Sequence, residues 1–232
     1  PIWHADAFNP DAVAMLQYTS GSTGHPKGVM LTQHNLAHNT QGMGMGLELG
    51  QSTRYFSWMP LFHDFGLIAV VLSCIRHGAE ATLMSPLTFL QKPEKWLEGI
   101  SHFKTDISCA PNFAYALCAS RCSDKLDIDL SHWRIAGNGA EPIQLDSLQA
   151  FFEKFEAKGF KWSAYNPMYG LAESTVAVTC KPDVSEPIRE LHVSKSALLR
   201  GLLEEVSDTG DDCLRMPSVG RTWLDQEVRI VA

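Results

Sequence analysis

Residues 18–28 read Tyr-Thr-Ser-Gly-Ser-Thr-Gly-His-Pro-Lys-Gly, a run of glycines and hydroxyl side chains with one lysine, Lys27. The run follows an apolar segment, Ala12 to Leu16, which predicts a strand. A strand that leads into such a loop exposes backbone N–H groups and short hydroxyls, which bind phosphate oxygens. The segment therefore predicts a cradle for a polyphosphate, with Lys27 as its cation. The alternative is a solvated turn rich in glycine and serine.

The loop differs from a Walker A motif, in which lysine directly follows glycine and precedes Ser or Thr and a helix. Here Pro26 precedes Lys27 and Gly28 follows it. Proline fixes its own φ and lacks an N–H, so the backbone stays extended there. The apolar residues 29–31 predict a second short strand. The predicted unit is strand, phosphate loop, strand, which points to a different class of nucleotide site.

Composition excludes several classes of protein. The chain has 232 residues, of which 45% are hydrophobic and 19% charged, as in a globular protein with a sizeable core. Its net charge is −7 and no basic stripe occurs, which argues against a nucleic-acid surface. The longest apolar run, residues 65–75, is too short to cross a bilayer. The six cysteines form no C-x-x-C pair, so we expect reduced thiols in a cytoplasmic protein.

Short strand patterns alternate with helical patterns along the chain, which predicts an α/β fold of mostly parallel sheets flanked by helices. The predicted strands are Val13–Tyr18, Gly28–Leu31, Arg54–Met59, Ala81–Met84, Asp106–Cys109, Trp133–Ala136, Lys161–Tyr165, Thr175–Thr179 and Glu227–Val231. The predicted helices are Gln33–Leu47, Phe65–His77, Pro93–Phe103, Asn112–Cys122, Ile143–Lys158 and Lys195–Leu203. In such a fold we expect ligands at the carboxyl ends of the strands.

A histidine and an aspartate, His63 and Asp64, interrupt the apolar segment 58–68. Burying an unpaired charge is costly, so both should face a cavity or pair with a neighbour. Asp64 could equally be the N-cap of the following helix. For His63 we favour a position that lines the site over one in the core.

Two further segments follow predicted strands. Residues 138–143 place Gly139, Ala140 and Glu141 after a strand, where bare backbone suits a flat ring; the alternative is an ordinary strand-to-helix turn. Residues 168–174 offer an aromatic ring and, in Glu173, a carboxylate of the kind that Mg²⁺ takes. The alternative for Glu173 is an acid in solvent.

Residues 107–118 form a corner of small residues followed by a helix that carries Phe113 and Tyr115. This segment could wall an apolar tunnel, but core packing is the favoured interpretation.

Together these segments resemble the adenylate-forming superfamily of acyl-CoA synthetases, peptide-synthetase adenylation domains and luciferases, and most closely its fatty acyl-AMP ligases. The loop at 18–29 and Tyr-Gly-x-x-Glu at 169–173 are similar to superfamily motifs. The segments 63–68, 110–115 and 138–142 resemble the fatty acyl-AMP ligase branch. The resemblance runs nearly end to end. A minor departure is Gln33, where the family usually has histidine.

The resemblance implies site residues and two cofactors, ATP and Mg²⁺. It implies that the ATP or AMP is bound by Thr19, Ser20, Gly21, Ser22, Thr23, Gly24, Lys27, Asn138, Gly139, Ala140, Glu141, Tyr169 and Gly170. Of these, Tyr169 would stack on adenine. The implied acyl pocket consists of His63, Asp64, Gly66 and Phe113, and the implied metal ligand is Glu173. Lys27, His63 and Glu173 would be the catalytic residues.

The implied reaction is ATP-dependent activation of a fatty acid to an acyl-adenylate, with release of pyrophosphate and transfer to an acyl carrier protein. We expect the chain to be the central part of a large N-terminal AMP-binding domain. The small C-terminal lid domain would lie outside it, and residues 181–217 would form the family's extended connector. The alternatives are an acyl-CoA ligase, an amino-acid adenylation domain, or a fragment that only binds nucleotide and acyl chain.

Overall fold

The structure, a computed structural model, describes residues 9–19, 27–181, 183, 185–207 and 210–231. The strands in chain order are β1 (Val13–Thr19), β2 (Lys27–Thr32), β3 (Arg54–Ser57), β4 (Glu80–Leu83), β5 (Ile107–Ala110), β6 (Ile135–Asn138), β7 (Tyr165–Gly170), β8 (Ala177–Cys180), β9 (Glu190–Ser194) and β10 (Cys213–Pro217). The helices are α1 (Gln33–Gly46), α2 (Ser73–His77), α3 (Pro86–Gln91), α4 (Glu94–His102), α5 (Asn112–Arg121), α6 (Leu145–Phe155) and α7 (Lys195–Leu198). A π-helical segment, Phe65–Leu72, leads into α2, and short 3₁₀ turns lie at Glu156–Lys158, Trp162–Ala164 and Ala172–Ser174.

A six-stranded sheet forms the centre of the molecule, in the order β4-β3-β5-β6-β7-β8. The pairs from β4 to β7 are parallel, and only β8 runs antiparallel to its neighbour β7. Strands β5 and β6 are buried along their whole length, as in a sheet covered on both faces. The predicted α/β class, with a mostly parallel sheet between helices, is confirmed.

Two small antiparallel sheets accompany the central one. Strands β1 and β2 form an antiparallel hairpin that pairs Thr19 with Lys27, so the two predicted strands that flank residues 20–26 are observed. The other sheet pairs β9 with β10 and includes α7 in the connection between them. Sequence patterns missed β9 and β10, because their pairing joins segments about twenty residues apart.

Several predicted elements were wrong in detail. The predicted strand Lys161–Tyr165 is instead a 3₁₀ turn, and β7 begins at Tyr165. Residues 227–231 form no strand and are exposed, because no other described segment pairs with them. The predicted helix at Phe65–His77 starts as a π-helix, in which Ile68 O accepts a hydrogen bond from the Ser73 hydroxyl at 3.0 Å. Such wider turns often occur at functional sites.

The helix α1 packs closely on its neighbours through glycines. It begins with a capping box, in which Thr32 and Asn35 exchange side-chain to backbone hydrogen bonds of 3.1 and 2.9 Å. A Cβ atom at Gly42 would overlap the indole ring of Trp223, and one at Gly44 would overlap the imidazole of His77. These glycines let the helix approach α2 and Trp223 closely.

We therefore expect Gly42→Ala to destabilise the protein, although alanine favours a helix over glycine by about 1 kcal/mol. Overlap with the Trp223 ring forces repacking that costs about 1–3 kcal/mol. Urea unfolding of both forms measures the difference. Gly50→Ala is the control, because nothing lies within 4 Å of a Cβ built there. A gain of stability in Gly42→Ala would contradict this packing.

Among the described residues, no helix is both long enough and apolar enough to cross a bilayer.

Candidate functional site

A cavity of about 500 Å³ opens where strands β1, β6 and β7 end. Residues at its mouth are exposed, with Phe62 at 90%, Tyr18 at 67% and Tyr169 at 49%. Its inner wall is buried and mostly apolar. The lining residues are Gln17, Tyr18, Thr19, Met43, Leu47, Tyr55, Phe62, His63, Asp64, Phe65, Ala69, Cys109, Gly139, Ala140, Met168, Tyr169, Gly170, Leu171, Ala172, Val176, Ala177, Thr179, Cys180 and Trp223. The cavity lies beside the carboxyl ends of strands, the position at which we expect a ligand.

The hairpin contributes its closed end to this cavity. Thr19 lines the cavity, and Lys27, its partner across the hairpin, is exposed. The predicted phosphate-binding residues Ser20, Gly21, Ser22, Thr23 and Gly24 lie outside the described residues.

The segments after β6 and β7 face each other across the cavity mouth. Gly139 packs so closely that a Cβ atom there would lie 3.0 Å from the Met168 carbonyl oxygen. Ala140 has a φ of 69°, a left-handed conformation that costs a non-glycine residue energy and often marks a functional site. At Gly170 a Cβ atom would overlap the Val176 carbonyl. The exposed ring of Tyr169 and the backbone of 139–140 therefore line one opening, as the sequence predicted.

Glu141 and Asn138, which were predicted to bind the nucleotide, do not line the cavity but hold the segments around this opening in place. The carboxylate of Glu141 accepts a hydrogen bond of 2.6 Å from the backbone N–H of Phe113, at the start of α5. Asn138 is fully buried, and its Nδ2 donates to Asn112 Oδ1 at 3.2 Å. These contacts fix the turn between β6 and α6 against α5.

His63 and Asp64 lie together on the cavity wall, where both were predicted. Asp64 is the N-cap of the π-helical segment, and its carboxylate accepts from Phe65 N at 2.6 Å. His63 Nδ1 lies 2.7 Å from the same carboxylate oxygen. The Phe65 N–H is also 3.1 Å from Nδ1, but its shorter contact is with the carboxylate. We therefore assign the proton to Nδ1, which donates to Asp64 and leaves Nε2 as the free nitrogen of the ring.

Two members of the predicted acyl pocket do not line the cavity. Gly66 is buried against the turn before the π-helical segment, where a Cβ atom would overlap the Pro60 carbonyl. The Phe113 ring packs on Trp58 and Phe89, with ring centroids 6.1 and 6.2 Å apart. In the structure Gly66 is a packing residue, and Phe113 belongs to an aromatic cluster beside the site.

Glu173 lies one residue beyond the cavity lining, in the 3₁₀ turn that follows β7. Ala172 faces the first cavity, whereas Glu173 faces a neighbouring cavity of about 360 Å³. The hairpin borders both, through residues 17–19 on one side and 30–31 on the other. Asn39 holds the turn against α1, because its Nδ2 donates to Ala177 O at 2.8 Å and to Ser174 O at 3.2 Å.

The carboxylate of Glu173 is exposed and makes no ion pair or side-chain hydrogen bond within the described part of the chain. On the far side of the same cavity, His38 Nε2 lies 2.6 Å from Asp225 Oδ1. Among the residues that the structure describes, no three His, Cys, Asp or Glu side chains converge as a metal site. Glu173 therefore offers one free carboxylate beside the hairpin.

Sequence reasoning missed most of the inner wall. Met43 comes from α1 and Leu47 from the position just after it, Tyr55 and Cys109 come from β3 and β5, and Trp223 comes from the chain near its described end. In the sequence these residues look like ordinary core positions. Only the packing of α1 over the sheet brings them to one cavity, so no local pattern could have identified them.

The Asp64 carboxylate raises the pKa of His63 above its ordinary value, chiefly through their hydrogen bond, while partial burial acts in the opposite direction. We expect Asp64→Asn to lower the pKa of His63, because asparagine keeps the helix cap but removes the charge. An NMR titration of the imidazole measures this. The pKa of His63 is higher in the folded protein than in the unfolded chain, where it is about 6.5. The pair of His63 and Asp64 therefore stabilises the fold fully below about pH 6.5, and this contribution is lost as pH rises through the pKa of His63 in the folded protein. The variant should therefore lose more stability at pH 6 than at pH 9, and an unchanged imidazole titration would contradict the pairing.

Comparison with known proteins agrees with this geometry. The family model described as AMP-binding enzyme matches residues 3–232. The chain is 39% identical over 194 residues to a medium-chain-fatty-acid–[acyl-carrier-protein] ligase of Teredinibacter turnerae. This alignment covers 83% of this chain and 30% of that protein. The chain is also 37% identical over 227 residues to a 4-hydroxyphenylalkanoate adenylyltransferase of Mycobacterium marinum, covering 95% of this chain and 36% of that protein.

Among solved structures, the fatty acyl-adenylate ligase of Legionella pneumophila in complex with acyl adenylate and pyrophosphate matches with a TM-score of 0.88 and 38% identity. That match covers 95% of this chain and 39% of the other. The chain thus spans roughly a third of the length of these relatives. The resemblance predicted from the sequence motifs is confirmed, and the chain belongs to the AMP-binding enzyme family.

Proposed function

We propose that the protein activates a fatty acid with ATP, forms an acyl-adenylate, releases pyrophosphate and passes the acyl group to an acyl carrier protein. The observation that carries this proposal is the single cavity that joins the closed end of the β1–β2 hairpin, the opening at Gly139–Ala140 and Tyr169, and a buried apolar inner wall. A nucleotide fits the polar mouth, and an acyl chain fits the inner wall. The similarity to fatty-acid–acyl-carrier-protein ligases and to a fatty acyl-adenylate ligase supports this assignment.

In this proposal each part of the nucleotide meets its own segment. Adenine lies between the bare backbone of 139–140 and the ring of Tyr169, with Asn138, Glu141 and Gly170 holding these two segments in place. The phosphates bind the loop from Thr19 to Gly24 and the ammonium group of Lys27. Exposed backbone N–H groups and a lysine give fixed positive potential where negative charge accumulates.

The residues present fit a bound Mg²⁺. This ion takes one or two carboxylates and completes its shell with water and phosphate oxygens, so it needs no cluster of protein ligands. Glu173 supplies one exposed carboxylate without a protein partner, on a turn that Asn39 fixes. When bound, the ion would neutralise phosphate charge and strengthen pyrophosphate as a leaving group.

The reaction requires positioning more than proton transfer. A fatty acid is ionised near neutral pH, since a carboxyl pKa lies at about 4. One carboxylate oxygen attacks the α-phosphorus of ATP and forms a new O–P bond. The bond between the α-phosphorus and the oxygen that bridges it to the β-phosphate breaks at the same time, and pyrophosphate leaves with that oxygen. His63 lines the cavity, and Asp64 raises its pKa and so favours the imidazolium form, in which Nε2–H donates a hydrogen bond to the incoming carboxylate. Bringing two anions together is the main barrier, so oriented donors supply most of the acceleration.

The wider context of the protein is part of the proposal. We assign the chain to the central part of an N-terminal AMP-binding domain, with a lid domain elsewhere in the protein. Residues 181–217, which contain β9, α7 and β10, would be the extended connector that disfavours transfer to CoA. The six free thiols, five of them buried, suit a reducing cytoplasm.

ATP–pyrophosphate exchange in the full-length protein tests the proposal. We expect exchange with straight-chain fatty acids and only background exchange with amino acids. In a second step, a carrier protein with a phosphopantetheine arm should accept the acyl group faster than CoA does. Exchange with amino acids alone would identify an amino-acid adenylation domain, and faster transfer to CoA would identify an acyl-CoA ligase. Binding of nucleotide and acid without any exchange would identify a binding module.

A further inference from the structure

The inner end of the cavity contains a tyrosine hydroxyl without a partner. Tyr55 lines the cavity and is 1% exposed, and no nitrogen or oxygen atom in the described part of the chain accepts a hydrogen bond from its hydroxyl. The Cys109 thiol lies beside it, but a thiol is a weak partner. Burial and the neighbouring thiol raise the pKa of Tyr55 well above its ordinary value, so the hydroxyl keeps its proton and can donate.

Other buried tyrosines in this protein are satisfied. The Tyr115 hydroxyl donates to Gly137 O at 2.8 Å, and the Tyr165 hydroxyl donates to Leu148 O at 2.9 Å. Neither residue lines the cavity. Among the described residues, Tyr55 is thus the one buried tyrosine whose hydroxyl has no nitrogen or oxygen partner, although other unpaired buried polar atoms, such as Trp58 Nε1, Thr105 Oγ1 and Asn166 Nδ2, lie outside this cavity.

Two more polar groups in the cavity lining share this property. The Thr179 hydroxyl and the Trp223 indole N–H are buried and make no hydrogen bond in the described part of the chain. Each of these groups can donate a hydrogen bond. Buried donors in native proteins nearly always have a partner, and leaving one unpaired is costly. An inner wall that combines apolar side chains with unpaired donors is suited to a ligand that is mostly hydrocarbon but carries an acceptor oxygen.

We propose that the inner end of the cavity binds an acyl chain that carries an oxygen, as a hydroxyl or keto group, near the end remote from the carboxylate, and that Tyr55 donates a hydrogen bond to that oxygen. This inference rests on the proposed function and narrows its substrate class. A plain fatty acid of the same length would leave the Tyr55 hydroxyl unpaired. A site that hydrogen-bonds a substrate oxygen discriminates strongly against the analogue that lacks it.

The test compares paired acids in ATP–pyrophosphate exchange with the full-length protein. One member of each pair is a straight-chain acid of eight to sixteen carbons, and the other carries a terminal hydroxyl or keto group. We expect kcat/KM to favour the oxygenated acid by about tenfold or more at one chain length. In Tyr55→Phe this ratio should fall by about tenfold, because the oxygen loses its donor while the ring still fills the wall. Tyr165→Phe is the matched control, since it removes a buried hydroxyl that does not line the cavity, and it should leave the ratio unchanged.

A preference for the plain acid at every length would overturn the inference. So would a ratio that Tyr55→Phe does not change, because water alone would then satisfy the hydroxyl. If no acid of either series supports exchange, the proposed function fails instead. Calorimetric binding of the paired acids, without ATP, then decides the inference separately: tighter binding of the oxygenated acid that Tyr55→Phe abolishes supports it, and equal binding overturns it.

Discussion

Lys27→Ala should lower the rate of acyl-adenylate formation by at least about tenfold, which is less than the loss seen when one donor of an oxyanion hole is removed. Lys27 begins β2 opposite Thr19, at the closed end of the hairpin that borders the cavity. Its side chain is exposed and no described residue pairs with its charge. In the proposed reaction its ammonium group attracts the phosphates and stabilises the charge that develops on them. Steady-state pyrophosphate exchange measures the loss.

The stability of this variant should hardly change, because exposed substitutions away from special contacts usually shift stability by at most about 0.5 kcal/mol. Lys125→Ala is the matched control. Lys125 is also exposed, its ammonium group pairs with no residue that the structure describes, it lines neither cavity, and it carries the same charge. Its exchange rate should equal that of the wild type. A wild-type rate in Lys27→Ala would remove the phosphate-binding role.

Glu173→Gln should also lower the rate by at least about tenfold, and it should raise the Mg²⁺ concentration needed for half-maximal rate. Glutamine keeps the size of the side chain but loses the charge that holds a hard cation. The turn itself should remain in place, because Asn39 fixes it through bonds to the carbonyls of Ser174 and Ala177. Exchange rates across a range of Mg²⁺ concentrations separate lost metal binding from misfolding.

Glu80→Gln provides the comparison for this experiment. Glu80 lies on β4 at the edge of the central sheet, is exposed and borders neither cavity. It should show the wild-type rate and the wild-type dependence on Mg²⁺. If Glu173→Gln behaved like Glu80→Gln, Glu173 would be an ordinary surface acid, the alternative that the sequence left open.

The parts of the site that the sequence predicted are those with a local chemical reason. The glycines and hydroxyls after β1, the pair His63 and Asp64, and the turn at Gly139–Ala140 each disturb an otherwise regular pattern. Such a disturbance is visible within a few residues. Gly139 and Tyr169 meet at one cavity because the parallel strands β6 and β7 present their carboxyl ends at one edge, and the β1–β2 hairpin and the segment after β3 add Thr19 and His63.

The remainder depended on packing that no local pattern contains. Tyr55 reads as one apolar position in a buried strand, and Trp223 reads as one aromatic residue in an irregular segment. Trp223 reaches the cavity by packing against α1 where Gly42 leaves room for its ring, whereas Tyr55 faces the cavity from β3 of the central sheet. For the same reason Phe113, an aromatic near the start of α5, was predicted to line the pocket but packs on Trp58 and Phe89.

The strand predictions failed where conformation depended on distant partners. Residues 227–231 alternate apolar and polar side chains, yet no other described segment offers them a neighbouring strand. The strand predicted at Thr175–Thr179 starts later, at Ala177, because Thr175 has a φ of 74° in the turn that carries Glu173. A threonine in this conformation is unusual and strained. That strain falls beside the proposed metal ligand, which no propensity scale would have indicated.

The claim on which the account depends is that the β1–β2 hairpin and the turn at Glu173 bind opposite sides of one triphosphate. A crystal structure of the full-length protein with Mg²⁺ and α,β-methylene-ATP, which cannot release pyrophosphate, tests it most directly. The account predicts adenine against Tyr169 and residues 139–140, phosphates between Thr19 and Lys27, and a metal ion within coordination distance of Glu173. A nucleotide bound elsewhere, or phosphates that Glu173 and its metal cannot reach, would contradict it.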